Sequence, residues 1–315
     1  MVDIEKLGLG CMGMGRKNAE KSIRTIHAAL DAGINFFNTG EFYKAGESEI
    51  IVGEALKNVP RDKYFLSVKF GVLPAPDGSI YGLDVNPYHI KAHLTYSMKR
   101  LGIDYIDLYQ PARMDLAYPV EDIVGEISKL IEAGYIGNIG LTQIDEETLN
   151  RANKIHQIHT VELRYSLAER EFEQNGLIDA VKNLGVNVLL FGVLAHGLLN
   201  DNILEGKSNF SLPAGFLSKE NLPENLKLVR ELKKIADEKS TMISKLVLAW
   251  TFAKFPFASS LIGTTSVEHL QDSIDALQLN LTAEDVAEIE KAFPIDKVRG
   301  QGMPDFICKN GRVVR

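Results

Sequence analysis

The sequence predicts an α/β fold, a (β/α)8 TIM barrel, and three observations carry that prediction. Short apolar runs alternate with helical patterns eight times along the chain. The strand-like runs are continuously apolar rather than alternating, as parallel strands covered by helices must be. No linker rich in Pro, Gly or Ser divides the 315 residues. Eight such units close most naturally into a barrel, with an open doubly wound sheet as the rival. The reading is a single domain over 1–315, with a core from about 7 to 293 and a tail over 294–315.

Taken in order, strand one is Leu7–Gly10, and a helix follows whose face is Ile23, Ile26, His27 and Leu30, at spacings of three and four. Gly33-Ile34-Asn35-Phe36-Phe37 is the second strand, with a helix near Glu47–Leu56. Tyr64–Val68 is the third, and Pro87 suits the first turn of its helix, which carries Ile90, Leu94 and Leu101. Strand four is Tyr105–Tyr109, before a helix showing Ile123, Ile127, Leu130 and Ile131. Strand five is Ile136–Leu141, and Asp145 followed by two glutamates suits a helix N-terminus. Strand six is Thr160–Leu163, with a helix at Leu177, Ile178, Val181 and Leu184. After strand seven, Val186–Phe191, two helical segments cover roughly Glu224–Glu238 and Met242–Ala253. Strand eight is Ser259–Ile262, its helix lies around Val267–Ala276, and Thr282 caps a last helix over Ala283–Ala292. Two long segments, Gly71–Asn86 and Ala195–Asn221, fall at strand C-termini, where such a barrel builds its site.

Composition excludes several classes. With 35 basic and 42 acidic residues the formal net charge is −7, and Lys and Arg never run longer than two, so no nucleic-acid footprint is expected. Nowhere do roughly 18 apolar residues run together to span a membrane, and the first residues lack a signal peptide's apolar core. Cys11 and Cys308 are too few for a disulfide framework or a CxxC site, so a reducing, cytoplasmic location is expected. His89 and His93 have helical i, i+4 spacing, but no third ligand follows; no metal is expected, and the pair reads as an exposed helix face. Oligomeric state leaves no trace in the pattern.

Gly8-Leu9-Gly10-Cys11-Met12-Gly13 fits G-x-G-x-x-G. A dinucleotide fingerprint needs a helix beginning within the motif and an acidic end to the next strand. Here the helical pattern begins only near Asn18, and the next strand ends in Asn38, so the glycines read as a flexible first turn.

Chemistry in a barrel sits just past each strand. Lys69 ends the apolar run Tyr64-Phe65-Leu66-Ser67-Val68 and is therefore partly desolvated. Burial lowers a lysine pKa, and the cation in turn lowers that of a nearby phenol. Tyr43 follows strand two closely enough to meet it, and a phenol so tuned can protonate a carbonyl oxygen as hydride arrives at carbon. The plain alternatives are a snorkelling lysine paired with a carboxylate and a half-buried loop tyrosine.

Gly33-Ile34-Asn35-Phe36-Phe37-Asn38-Thr39-Gly40-Glu41-Phe42-Tyr43 resembles the aldo-keto reductase signature G-I-N-x-x-D-T-A-x-x-Y. Leu101–Tyr109, Gly134–Leu141 and Ile262-Gly263-Thr264-Thr265 extend the resemblance collinearly, from Gly8 to about Phe293. The pyridoxal-reductase-like branch is the most similar, through Gly-Glu-Phe-Tyr and Gln-Pro-Ala-Arg. The resemblance implies NAD(P)H-dependent reduction of a small-molecule aldehyde or ketone, with Tyr43 as general acid tuned by Lys69. The family's aspartate position holds Asn38, and its substrate-orienting histidine position holds Ala112, beside Arg113.

The resemblance also implies a cofactor site. Thr142 and Gln143 stand where the nicotinamide carboxamide binds, with Glu162 as third contact. Phe191 would stack on the nicotinamide, and Met12, Gly192 and Leu194 line the same groove, with His196 in place of an arginine. Gly263, Thr264, Thr265 and Ser266 open a helix suited to the adenosine phosphate, with His269, Asp272 and Ser273 on its next turns. The resemblance implies NADPH as cofactor, with NADH as the alternative because Ser266 lacks the usual cation and Asp272 repels phosphate. Two rival readings stay open: a barrel whose redox activity has lapsed or been repurposed, suggested by the cluster of departures, and a Schiff-base enzyme on Lys69.

Overall fold

The structure is a computed structural model and describes residues 6–207, 215–302 and 308–313. Its strands are β1 (Leu7–Gly10), β2 (Phe36–Gly40), β3 (Phe65–Phe70), β4 (Val72–Pro74), β5 (Ile80–Leu83), β6 (Ile106–Pro111), β7 (Ile136–Thr142), β8 (Thr160–Arg164), β9 (Asn187–Phe191), β10 (Ala258–Gly263), β11 (Cys308–Lys309) and β12 (Arg312–Val313). Its α-helices are α1 (Ala19–Asp31), α2 (Glu47–Leu56), α3 (Pro87–Leu101), α4 (Val120–Glu132), α5 (Glu146–Ile155), α6 (Leu177–Leu184), α7 (Leu222–Glu238), α8 (Ile243–Lys254), α9 (Val267–Ala276) and α10 (Ala283–Ala292).

Eight parallel strands close in the order β1-β10-β9-β8-β7-β6-β3-β2, with β1 pairing back to β2. This is the (β/α)8 barrel, and the doubly wound alternative is excluded. Local chemistry sets the helix ends. Asn86 accepts a hydrogen bond from the Tyr88 N–H ahead of α3, and Gly102 ends that helix at φ 69°, a conformation cheap only without a Cβ. Asp145 caps α5 through the Thr148 N–H, and Thr282 and Asp285 form a reciprocal capping box on α10.

Gly8 and Gly10 lie in β1, as the strand reading expects, and Gly13 lies in the turn after it. A Cβ on Gly8 would sit 2.8 Å from the Phe36 ring, so that glycine answers to packing between neighbouring strands. The segment after β3 is also not a plain loop. It folds into the β4–β5 hairpin, and the tail strands extend it to a small antiparallel sheet in the order β11-β12-β5-β4. Asp115 pins that tail by accepting hydrogen bonds from the Asn310 and Gly311 N–H groups. No helix among the described residues is long and apolar enough to cross a membrane.

Candidate active site

Strand register assembles a polar layer at the C-terminal mouth of the barrel. Gly40 of β2 stands opposite Lys69 of β3, Lys69 opposite Gln110 of β6, and Thr142 of β7 opposite Glu162 of β8. Ser67 and Lys69, two apart on one strand, share a face. Lys69 and Glu162 are 4% and 2% exposed, and the ammonium donates to Glu162 Oε1 at 2.6 Å. Lys69 also donates to Asn38 Oδ1 at 2.5 Å. Glu162 Oε2 accepts from Asn38 Nδ2 at 2.8 Å and from Gln110 Nε2 at 2.6 Å, while Ser67 Oγ accepts from both amides at 3.2 Å. Gly140 makes room for the Gln110 amide, which a Cβ there would overlap.

Tyr43 opens a tight turn, Tyr43–Gly46, in which Lys44 and Ala45 both take φ 52°. That strained turn leads into α2, where the Ser48 hydroxyl meets Thr39 at 2.9 Å and donates to the Cys11 carbonyl at 2.8 Å. The turn sets the Tyr43 ring over the Lys69 ammonium, 5.2 Å from Nζ to ring centroid. The expected proximity is therefore present, but both expected pKa directions are reversed. Burial raises the Tyr43 pKa more than the Lys69 charge lowers it. Burial acts against the Lys69 ammonium, yet the charge of Glu162, helped by Tyr43, overcomes it and holds the lysine above its usual value.

Ala112 is 2% exposed and packs with Val72, Leu83 and Cys308 under the tail, with Phe42 at the edge of that cluster. The Phe42 ring meets Tyr43 edge-on at 4.6 Å, so the tail hairpin backs the wall beside the phenol. The Arg113 charge acts at Tyr43 against the rise that burial causes, while Nη1 donates to the Ala112 carbonyl at 2.6 Å. Cys11 is no rival nucleophile, since burial pushes its thiol up to about 12. His93 is not on an exposed face: it bonds Glu41 at 2.9 Å and lies 3.5 Å from Asp84, which also holds His89. Among the described residues no cluster of His, Cys, Asp or Glu is arranged to hold a metal.

A family profile described as "Aldo/keto reductase family" matches residues 6–293. The chain belongs to the aldo/keto reductase family. It is 33% identical over 308 residues to a probable aldo-keto reductase 1 of Glycine max, covering 95% of this chain and 88% of that one. Among solved structures it resembles the glycerol dehydrogenase of Gluconobacter oxydans, at 25% identity and TM-score 0.79, over 92% of both chains. A thermostable aldo-keto reductase in complex with the inhibitor epalrestat shares the fold, at 23% identity and TM-score 0.74, over 91% of this chain and 94% of that one. As an aldo/keto reductase this protein is an NAD(P)-dependent oxidoreductase acting on small-molecule carbonyl compounds.

The residues of an aldo/keto reductase cofactor groove fit a dinucleotide in two places. Thr142 Oγ1 is buried at the mouth with no hydrogen-bond partner, a group suited to a carboxamide. Ser266 stands at the N-cap of α9 without capping it through its side chain, so the first-turn N–H groups face the approach from Gly263, Thr264 and Thr265. Other positions are occupied by the protein's own bonds. Glu162 spends both oxygens on Lys69, Asn38 and Gln110, and Gln143 Oε1 accepts from the Arg164 N–H at 2.5 Å. Met12 is exposed, and Phe191, Gly192 and Leu194 are half-buried. The expected repulsion from Asp272 is relieved by Lys245, 3.1 Å away, while Ser273 donates to the exposed His269's carbonyl at 2.9 Å. Burial and the Arg164 charge lower the His196 pKa, so it adds no cation.

Sequence reasoning did not place Ser67 in the site, and it named Glu162 as a cofactor contact rather than as the partner of Lys69. A signal was available: a carboxylate inside the apolar run Thr160–Leu163 demands a buried cation.

Proposed function

We propose that this protein reduces an aldehyde or ketone with Tyr43 as general acid, and that the observation carrying this reading is the Lys69 ammonium 5.2 Å from the centroid of the Tyr43 ring. Thr142 and the start of α9 would hold the nicotinamide dinucleotide, which would supply a hydride when bound. At neutral pH Tyr43 keeps its proton, because burial raises its pKa. The proton passes from Tyr43 Oη to the substrate oxygen as the carbon accepts hydride, and the phenolate so formed faces Lys69 and Arg113. Electrostatic support of that anion is what the pair contributes to the rate. Asn38 holds Lys69 in place through its amide oxygen.

The half-buried wall of Phe42 and Ile80, backed by Val72, Leu83 and Cys308, suits an aromatic aldehyde such as pyridoxal, as the branch resemblance implies. Lys245 beside Asp272 supports NADPH as cofactor, with NADH as the alternative. The buried free thiols suit a reducing cytoplasm.

The test follows loss of reduced cofactor absorbance over a panel of aldehydes including pyridoxal, with NADPH and with NADH. Tyr43→Phe is expected to lower turnover about a hundredfold or more while leaving cofactor affinity nearly intact. Unchanged turnover removes Tyr43 from the mechanism. Absence of binding to either dinucleotide favours the lapsed barrel, for which Ala112, buried and without a donor, is the specific observation.

A further inference from the structure

We infer that Glu162 is the positioning residue that holds the Lys69 ammonium against Tyr43, the counter-charge standing on β8 rather than on β2. This deepens the reductase reading and rests on it.

The ammonium has three protons. One goes to Asn38 Oδ1, one to Glu162 Oε1, and Tyr43 lies over the remaining side. Asn38 accepts a hydrogen bond but cannot carry the counter-charge, and its orientation is dictated by its neighbours. Its oxygen meets Lys69 while its amide donates to Glu162 and Ser67, an arrangement that a flip would reverse against the ammonium. Glu162 accepts three bonds, from Lys69, Asn38 and Gln110, all at 2.8 Å or less. A carboxylate so fixed has no freedom to follow the lysine elsewhere. The side chains of the pair are 5% and 2% exposed, so water does not screen it.

Asn38 and Glu162 touch, and each differs from its acid or amide counterpart only by an NH2 for an oxygen. Exchanging acid and amide between the two positions therefore conserves volume and net charge. The donor and acceptor of their shared bond trade places. Gln110 can follow by rotating its amide, because its Oε1 is buried without a partner. The lysine keeps a carboxylate within reach from β2 instead of β8.

The experiment compares Glu162→Gln, Asn38→Asp and the combined exchange by two readouts. One is ultraviolet titration of the Tyr43 phenolate in protein without cofactor, against Tyr43→Phe as blank. The other is the pH profile of kcat/KM. Glu162→Gln leaves a buried positive charge without a partner, so the Lys69–Tyr43 pair sheds a proton more readily. The phenolate titration and the alkaline limb are expected to move down together by about one pH unit or more, with turnover at neutral pH falling about tenfold. The combined exchange is expected to restore both readouts and to return turnover to within about threefold of the parent. An unchanged titration in Glu162→Gln overturns the inference. So does a combined exchange no closer to the parent than Glu162→Gln alone, or one that does not fold. Should Glu162→Gln itself not fold, the combined exchange decides. Failure of Tyr43→Phe to slow turnover strikes the reductase reading alone, since the phenolate titration needs neither cofactor nor substrate.

Discussion

Replacing Lys69 by methionine keeps most of the side chain's volume and removes its charge, and the structure sets the size of the response. Glu162 would keep the Asn38 and Gln110 hydrogen bonds but lose its ion pair with Lys69 while staying 2% exposed. Removing one member of a buried pair leaves an uncompensated charge, at a cost of about 3–5 kcal/mol. In a chain of this size that is a fall in Tm of about 5–8 °C. Adding Glu162→Gln removes the stranded charge and recovers most of the loss. Thermal unfolding of the parent, Lys69→Met and Lys69→Met/Glu162→Gln at neutral pH measures both. A loss below about 1 kcal/mol in Lys69→Met, or no recovery in the double variant, refutes the reasoning.

Two further outcomes follow from other parts of the molecule. Burial opposes the His93 imidazolium, but Glu41 and Asp84 overcome it and raise its pKa. Its contribution is fully present below the unfolded value of about 6.5 and fades as pH rises through the folded one, so His93→Gln flattens the stability profile over that window, with proton NMR locating the titration. A Cβ on Gly53 of α2 would overlap the Leu101 carbonyl of α3, with its carbon 2.7 Å away, so Gly53→Ala is expected to cost about 1–3 kcal/mol in urea unfolding.

The barrel was legible because its signals are local. Apolar runs mark each strand, three-and-four spacing marks each helix face, and Asp145, Pro87 and Thr282 mark helix starts. Lys69 stood out for the same reason, as a cation ending an apolar run. The fate of its charge was not legible. The sequence left open a lysine lowered by burial or one paired with a carboxylate, and the outcome depends on a carboxylate 93 residues further on. His93 was misread as exposed because helical spacing does not reveal that Glu41 and Asp84 arrive beside it from other segments. The tail strands gave no periodic signal, being two residues each and stabilised by a hairpin far away in sequence.

The sequence by itself determined the units, their order and the residue types delivered to the barrel mouth, since each is written within one turn of helix or one run of strand. Only the tertiary structure decided which charges meet. Closing eight strands in one register brings β3 and β8 side chains together across the barrel, and the desolvation there makes the choice of partner govern ionisation.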